Sequence, residues 1–211
     1  MDYVNFTIVL GAALLGGLSP GPVALAIAGT GMRRGRVLAL AMAYGGSTGS
    51  FVWAAAAALG FGALLAAHQW LFDVIRYLGA AYLAWLGWRA ARAAFGTRSI
   101  QATDAGVATV AAAWMRGALL HLGNPKAVIF WGSIFAIGVH PATPADAMPE
   151  AIAWIVAASL IVNLVTNTTW ALVFSNGRAM AGYTRARRWI EGAFAAFFGY
   201  AALRLATARE L

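Results

Sequence analysis

Long apolar stretches separated by short polar breaks dominate the chain. Six stretches can be recognised, at residues 4–30, 37–67, 71–95, 117–139, 150–175 and 189–208. A bilayer core about 30 Å thick requires about 20 apolar residues per helix, which most of these stretches supply. Only helices or closed barrels satisfy the backbone in lipid, and the stretches lack the alternation that is typical of barrel strands. The pattern therefore predicts an all-α polytopic membrane protein with six transmembrane helices.

The third and sixth stretches are the short ones. Only 12 uncharged residues separate Arg76 from Arg89, and 12 separate Glu191 from Arg204. As a helix, 12 residues extend about 18 Å, which is less than the hydrocarbon thickness. Either arginine side chains extend to the headgroups and lengthen the span, or these helices lie in the interface or re-enter. The distribution of charge along the chain favours full crossing.

Composition excludes several classes of protein. Of 211 residues, 62% are hydrophobic and 10% are charged, and there is no cysteine. Soluble domains carry about a quarter charged residues, so a soluble enzyme or a disulfide-rich secreted module fits poorly. The net charge of +8 comes from arginines lying between the apolar stretches, which is typical of membrane loops. We expect contact with the lipid bilayer and no nucleic acid partner, no cofactor and no metal site.

The arginines also predict the orientation of the spans. Six crossings that start with the N-terminus outside place eleven arginines in the inward loops and three at the outward ends. The inward ones are Arg33, Arg34, Arg36, Arg89, Arg92, Arg98, Arg116, Arg178, Arg185, Arg187 and Arg188. Cytoplasmic loops carry such an excess, so both termini are expected outside. The acidic Asp2 before the first stretch is unlike a secretory signal, so we expect a retained first span.

Two halves of the chain repeat a pattern. The tripeptide Ala-Leu-Leu occurs at residues 13–15 and again at residues 118–120. In both places a proline follows after four further residues. Three spans per half would invert the second half relative to the first, as in many secondary transporters. We therefore expect one transmembrane domain over residues 1–211, with repeats at about 1–96 and 117–211 and a cytoplasmic loop at about 97–116. Chance similarity in an Ala/Leu-rich chain is the alternative.

Proline interrupts the first and fourth spans at equivalent positions. The interruptions are Ser19, Pro20, Gly21 and Pro22 in the first span and Asn124, Pro125 and Lys126 in the fourth. Proline removes an N–H group and displaces a preceding carbonyl, and the freed groups require new partners in lipid. Lys126 would lie about 14 Å from the cytoplasmic end of its span, where a cation is costly.

This arrangement predicts a substrate site between two broken helices. Freed N–H groups and Lys126 would hold a carboxylate, while freed carbonyls and Asn124 would hold an ammonium group. The alternative is a pair of packing kinks, with the Lys126 side chain reaching the headgroups.

Further polar residues occur inside the spans. Asn163 and Asn167 are four residues apart and share a helical face, so they are candidates for lining a cavity or for hydrogen bonds between helices. His121 is a candidate member of a proton relay, although a lone histidine is more often a packing residue. The spacing of Gly45 and Gly49 permits close helix approach and self-association. The acidic residues lie at span ends or in loops, so a carboxylate relay is unsupported.

The motifs together resemble the LysE/RhtB translocators. They are Pro20-Gly21-Pro22, the arginine-rich turn after it, the stretch from Gly79 to Trp88, and Asn124-Pro125-Lys126. The resemblance implies about six helices and export of amino acids or related small molecules across the bacterial cytoplasmic membrane, driven by proton motive force or exchange. It implies no enzymatic activity.

Two departures from the family pattern bear on the substrate. Members often place Asn after the PGP motif, where this chain has Val23. Exporters of basic amino acids tend to carry an acid near the position of Ser50, so the resemblance implies a neutral substrate such as homoserine or threonine. Ser50 is then a candidate for binding it. A non-transporting membrane partner or small pore is the alternative, and an intramembrane enzyme lacks an evident nucleophile–base pair.

Overall fold

The computed structural model describes residues 3–67, 70–96, 105–140 and 142–207. Within these ranges the chain is helical apart from short connections. The helices are α1 (Phe6–Leu18), α2 (Pro22–Arg34), α3 (Arg36–Ala67), α4 (Trp70–Phe95), α5 (Val110–Leu122), α6 (Pro125–Gly138), α7 (Met148–Leu172) and α8 (Gly177–Thr207). The prediction of an all-α chain is confirmed for the described residues.

The first and fourth apolar stretches each form two helices rather than one. The breaks fall at residues 19–21 and 123–124, where the prolines predict them. The pieces have matching lengths, since α1 and α5 both contain 13 residues, and α2 and α6 contain 13 and 14. The α1–α2 pair is bent by 49°.

Two expected loops are partly helical. The fourth stretch was expected to begin at residue 117, but α5 begins at Val110, where the Thr109 hydroxyl accepts a hydrogen bond from Ala112 N at 3.1 Å. Helix α8 begins at Gly177 and includes the arginine-rich segment expected to form a loop. Arginine and alanine are good helix formers, so positive charge alone does not end a helix. The expected loop residues 97–104 lie outside the described residues.

Length and apolarity identify some of these helices as membrane spans on their own. Residues Arg36–Gly60 of α3 and all of α7 meet both criteria, and α1 with α2 meets them as a bent pair. Within the described chain α5 and most of α6 are apolar but shorter. By length and composition the described helices thus include two spans, or three if the bent pair is counted as one.

Glycines bring α3 and α5 into close contact. A Cβ added at Gly45 would overlap the Trp114 carbonyl group, and one added at Gly117 would overlap that of Met42. A Cβ at Gly49 would lie 2.9 Å from the Ala118 carbonyl oxygen. The close approach expected from the Gly45 and Gly49 spacing is thus confirmed.

Buried apolar side chains form two clusters. One contains Trp131, Phe135 and Ile155 together with Phe194 and Phe198 of α8. The other contains Met42 and Trp170 and joins α2, α3 and α7. The N-terminal segment contacts the end of α6, where Val4 pairs with Val139 in an antiparallel bridge. Each cluster contains residues from both halves of the chain.

Candidate substrate site

The end of α1 leaves backbone carbonyls without partners from its own helix. Helix α1 stops at Leu18, and α2 starts with Pro22 as its first residue. The last carbonyls of any helix lack intrahelical donors, so side chains, water or a ligand must supply them.

The Lys126 side chain supplies two of these hydrogen bonds. Its Nζ donates to the carbonyl oxygen of Gly16 at 2.7 Å and to that of Ser19 at 3.3 Å. A cation at a helix C-terminus also interacts favourably with the helix dipole. Lys126 therefore joins the break of α6 to the break of α1.

Two aromatic side chains supply the remaining donors. Trp170 Nε1 donates to the carbonyl oxygen of Gly17 at 3.0 Å, and the Tyr183 hydroxyl donates to that of Leu18 at 3.3 Å. Four successive carbonyl groups at the break of α1 are thus bound by side chains from α6, α7 and α8. The sequence pattern did not single out Trp170 or Tyr183 for this role.

The start of α6 is capped from within its own sequence. Asn124 Oδ1 accepts a hydrogen bond from Lys126 N at 3.0 Å, which makes Asn124 the N-cap residue. Pro125 is the first residue of the helix, where proline is favoured. At the start of α2, in contrast, Gly21 provides no side-chain cap. The start of α2 therefore lacks the side-chain cap that the start of α6 has.

A cavity of about 90 Å³ lies between the two breaks. This is several times the ~10–15 Å³ that one water molecule requires. Eight of the sequence-predicted site residues line it: Ser19, Gly21, Ser50, His121, Asn124, Lys126, Asn163 and Asn167. Pro20, Pro22 and Pro125 shape the breaks but are not among the lining residues. The cavity wall also contains Ser159 and Ser133, which the sequence analysis did not select.

Hydrogen bonds organise one polar side of this cavity. Asn167 Nδ2 donates to Asn163 Oδ1 and to Ser47 Oγ, both at 3.2 Å, which links α7 to α3. Ser50 Oγ accepts from Trp131 Nε1 at 3.1 Å. The two asparagines therefore both line the cavity and form hydrogen bonds, one of which joins two helices.

Two lining residues contain a buried polar atom without a hydrogen-bond partner among the described residues. They are His121 Nε2 and Ser159 Oγ, on side chains that are 8% and 1% exposed. Ser159 precedes Asn163 by four residues, so it lies one helical turn away on the same face. That spacing was the signal by which the sequence could have identified it.

In the structure, the groups expected to bind a substrate ammonium group have other partners. The freed carbonyls and Asn124 were expected to hold an ammonium group, but those of Gly16 and Ser19 bind Lys126, and Asn124 caps α6. The sequence pattern places Glu191 at the end of a span, whereas in the structure it lies within α8 and is only 4% exposed. Within the described residues, no three His, Asp or Glu side chains cluster closely enough to hold a metal ion.

The chain is similar to bacterial efflux proteins over nearly all of its length. The model of the family described as LysE type translocator matches residues 14–209. The threonine efflux protein of Escherichia coli K12 is 31% identical over 91% of this chain and 92% of its own length. The homoserine/homoserine lactone efflux protein of Salmonella typhimurium is 28% identical over 97% of each chain.

A third relative matches a shorter segment. The leucine efflux protein of Klebsiella pneumoniae is 35% identical over 143 residues, which is 67% of each chain. No solved structure matches the chain.

Proposed function

Because this chain belongs to the LysE type translocator family, we propose that it exports a small neutral amino acid, such as homoserine or threonine, across the bacterial cytoplasmic membrane. Family membership makes the chain a transporter and not an enzyme. Relatives named for threonine, leucine and homoserine efflux support an amino acid as the substrate. The observation that carries the proposal is the cavity between the two broken helices, with Lys126 in its wall.

The chemistry of the cavity suits a zwitterion. The carbonyl oxygens of Gly16 and Ser19 already bind an ammonium group, that of Lys126. A substrate ammonium group would compete for these oxygens, and the displaced Lys126 would then pair with the substrate carboxylate. The uncapped start of α2, where Val23 and Ala24 line the cavity, would add backbone N–H groups to the carboxylate.

The charges in the lining favour a substrate with a neutral side chain. Lys126 lies in the wall, and the described lining residues include no Asp or Glu. A substrate with a basic side chain would bring a second positive charge beside Lys126 with no carboxylate among these lining residues to bind it, which is costly. Ser50, Asn163 and Asn167 provide neutral polar groups instead.

We further propose six crossings built as two inverted repeats. The matched breaks support this, as does the pairing of equivalent helices, since α3 packs on α7 and α4 packs on α8. The hydrogen bond from Asn5 N to Gly138 O at 2.8 Å supports a position for the N-terminus on the same side as the end of α6. Six alternating crossings put both on the outside.

His121 is our proposed proton relay residue. Its ring lies in the cavity wall five residues before Lys126, and a histidine can gain or lose a proton near neutral pH. A His121→Gln variant would then lose acceleration by a pH gradient to a greater extent than it loses exchange of substrate without a gradient. Equal loss of both activities would contradict the relay role.

The test is transport by the purified chain in proteoliposomes, with a panel of labelled amino acids with and without a pH gradient. Saturable counterflow of threonine or homoserine is the expected result. Flux that rises linearly with concentration would instead indicate a small pore. Absence of flux for every amino acid, in protein that is correctly inserted, would favour a membrane partner without transport activity.

A further inference from the structure

Two polar atoms in the cavity wall remain unused by the contacts described so far. His121 Nε2 and Ser159 Oγ are buried, and neither has a hydrogen-bond partner among the described residues. A buried polar group without a partner is costly, and most such groups in folded proteins are paired. Two of them in the wall of one cavity therefore point to a group that is bound there.

Neighbouring polar groups in the same wall are already paired. Ser50 accepts from Trp131, and Asn163 accepts from Asn167. The Ser133 hydroxyl donates to the carbonyl oxygen of Ile129 at 2.6 Å. Among the buried side-chain atoms of the described lining residues, His121 Nε2 on α5 and Ser159 Oγ on α7 are the ones without a partner. A ligand group that satisfied both would bridge these two helices.

A hydroxyl group has the chemistry that fits this pair. It can donate one hydrogen bond and accept others, and a serine hydroxyl and a neutral imidazole can provide the complementary groups. We propose that His121 and Ser159 form a subsite for the side-chain hydroxyl of a hydroxy amino acid. This inference rests on the proposed function, because it assumes that the amino and carboxyl groups of the substrate lie at the helix breaks.

The position of Ser159 is compatible with that assignment. Ser159 lies one turn along α7 from Asn163, whereas Lys126 and Asn124 lie at the break of α6. The bulky side chains of Phe130, Trp131 and Phe198 also line this cavity of about 90 Å³, so the site suits a short substrate side chain. A site built to hydrogen-bond a hydroxyl discriminates strongly against the analogue that lacks it.

The sharpest test compares threonine with valine, which differ by the replacement of a hydroxyl with a methyl group. Wild-type protein should transport threonine with a higher kcat/KM than valine. Ser159→Ala should lower the threonine-to-valine ratio by about five- to tenfold, which corresponds to the loss of one hydrogen bond. Ser159→Cys, with a weaker donor of similar size, should give an intermediate ratio.

Thr169→Val is the matched control. Thr169 lies on the same helix, its hydroxyl donates to the carbonyl oxygen of Val165 at 2.8 Å, and it is not among the lining residues. This variant should leave the threonine-to-valine ratio unchanged. Thermal stabilisation of the detergent-solubilised protein by each amino acid gives a second readout, in which Ser159→Ala should lose the preference for threonine.

The outcomes separate the two proposals. If wild-type protein transports no amino acid, the proposed function fails. If it transports amino acids but Ser159→Ala keeps the wild-type threonine-to-valine ratio in both assays, the hydroxyl subsite is overturned while the transport function stands. A wild-type ratio near one would overturn the subsite in the same way, and the two buried atoms would then be partnered by water.

Discussion

Lys126 donates a 2.7 Å hydrogen bond to the carbonyl oxygen of Gly16, a residue 110 positions earlier in the chain. The contact joins the interrupted helix of one half of the chain to that of the other half. It places a positive charge at the C-terminal end of α1. The helix dipole and the carbonyl groups that lack donors within their own helix both favour a cation there. Lys126 is therefore part of the structure of the break as well as of the proposed site.

Replacing Lys126 with methionine should abolish efflux while leaving membrane insertion intact. Methionine keeps much of the apolar side chain but cannot donate to Gly16 or pair with a substrate carboxylate. Efflux from proteoliposomes is the measurement, with the amount of inserted protein as the reference. Arg178→Gln, which removes an exposed charge on α8, is the control and should transport normally. Wild-type efflux by Lys126→Met would contradict the assigned role.

Replacing Trp170 with phenylalanine should destabilise the break of α1. Trp170 is fully buried, and its Nε1 donates to the Gly17 carbonyl oxygen, which the smaller ring would leave unpaired. An unpaired buried acceptor costs about 1–3 kcal/mol, which a lower unfolding temperature in detergent would report. Trp189→Phe is the control, because Trp189 is 81% exposed. Equal unfolding temperatures for the two variants would show that the hydrogen bond contributes little.

Asn124 should tolerate aspartate better than alanine. Its side-chain oxygen caps α6, and loss of an N-cap typically costs about 1 kcal/mol. Aspartate keeps the accepting oxygen, so Asn124→Asp should retain thermal stability and Asn124→Ala should lose it. Thermal unfolding of both variants is the measurement. If alanine and aspartate reduce stability equally, the amide donor of Asn124 matters more than its role as a cap.

Replacing Gly45 with alanine should weaken the contact between α3 and α5. The new methyl group would overlap the Trp114 carbonyl group, and overpacking of this kind costs about 1–3 kcal/mol. Gly60→Ala is a matched control on the same helix, since no described atom lies within 4 Å of its added Cβ. Alanine favours the helix there, so this variant should be unchanged or slightly more stable. Thermal unfolding in detergent compares the two, and similar effects would argue against the close contact.

The local features of the site were predictable because they depend on residues adjacent in sequence. Proline determines its own backbone angle and lacks an N–H group, so the breaks at Pro20 and Pro125 followed from the sequence. Helix α8 was less predictable at its start, since the arginines that indicate a cytoplasmic segment are also good helix formers. Because α8 begins at Gly177, Glu191 lies within the helix rather than near its start.

The sequence by itself determined that the chain is helical and apolar, where its helices break and which polar residues those breaks carry. These properties follow from side-chain transfer energies and backbone chemistry, which act locally. Only the tertiary structure decided which hydrogen-bond donor pairs with which acceptor. It paired Lys126 with Gly16 and Trp170 with Gly17, and it left Ser159 Oγ without a hydrogen-bond partner in the described part of the chain. Hydrogen bonds are short and directional, so their partners depend on how distant helices pack.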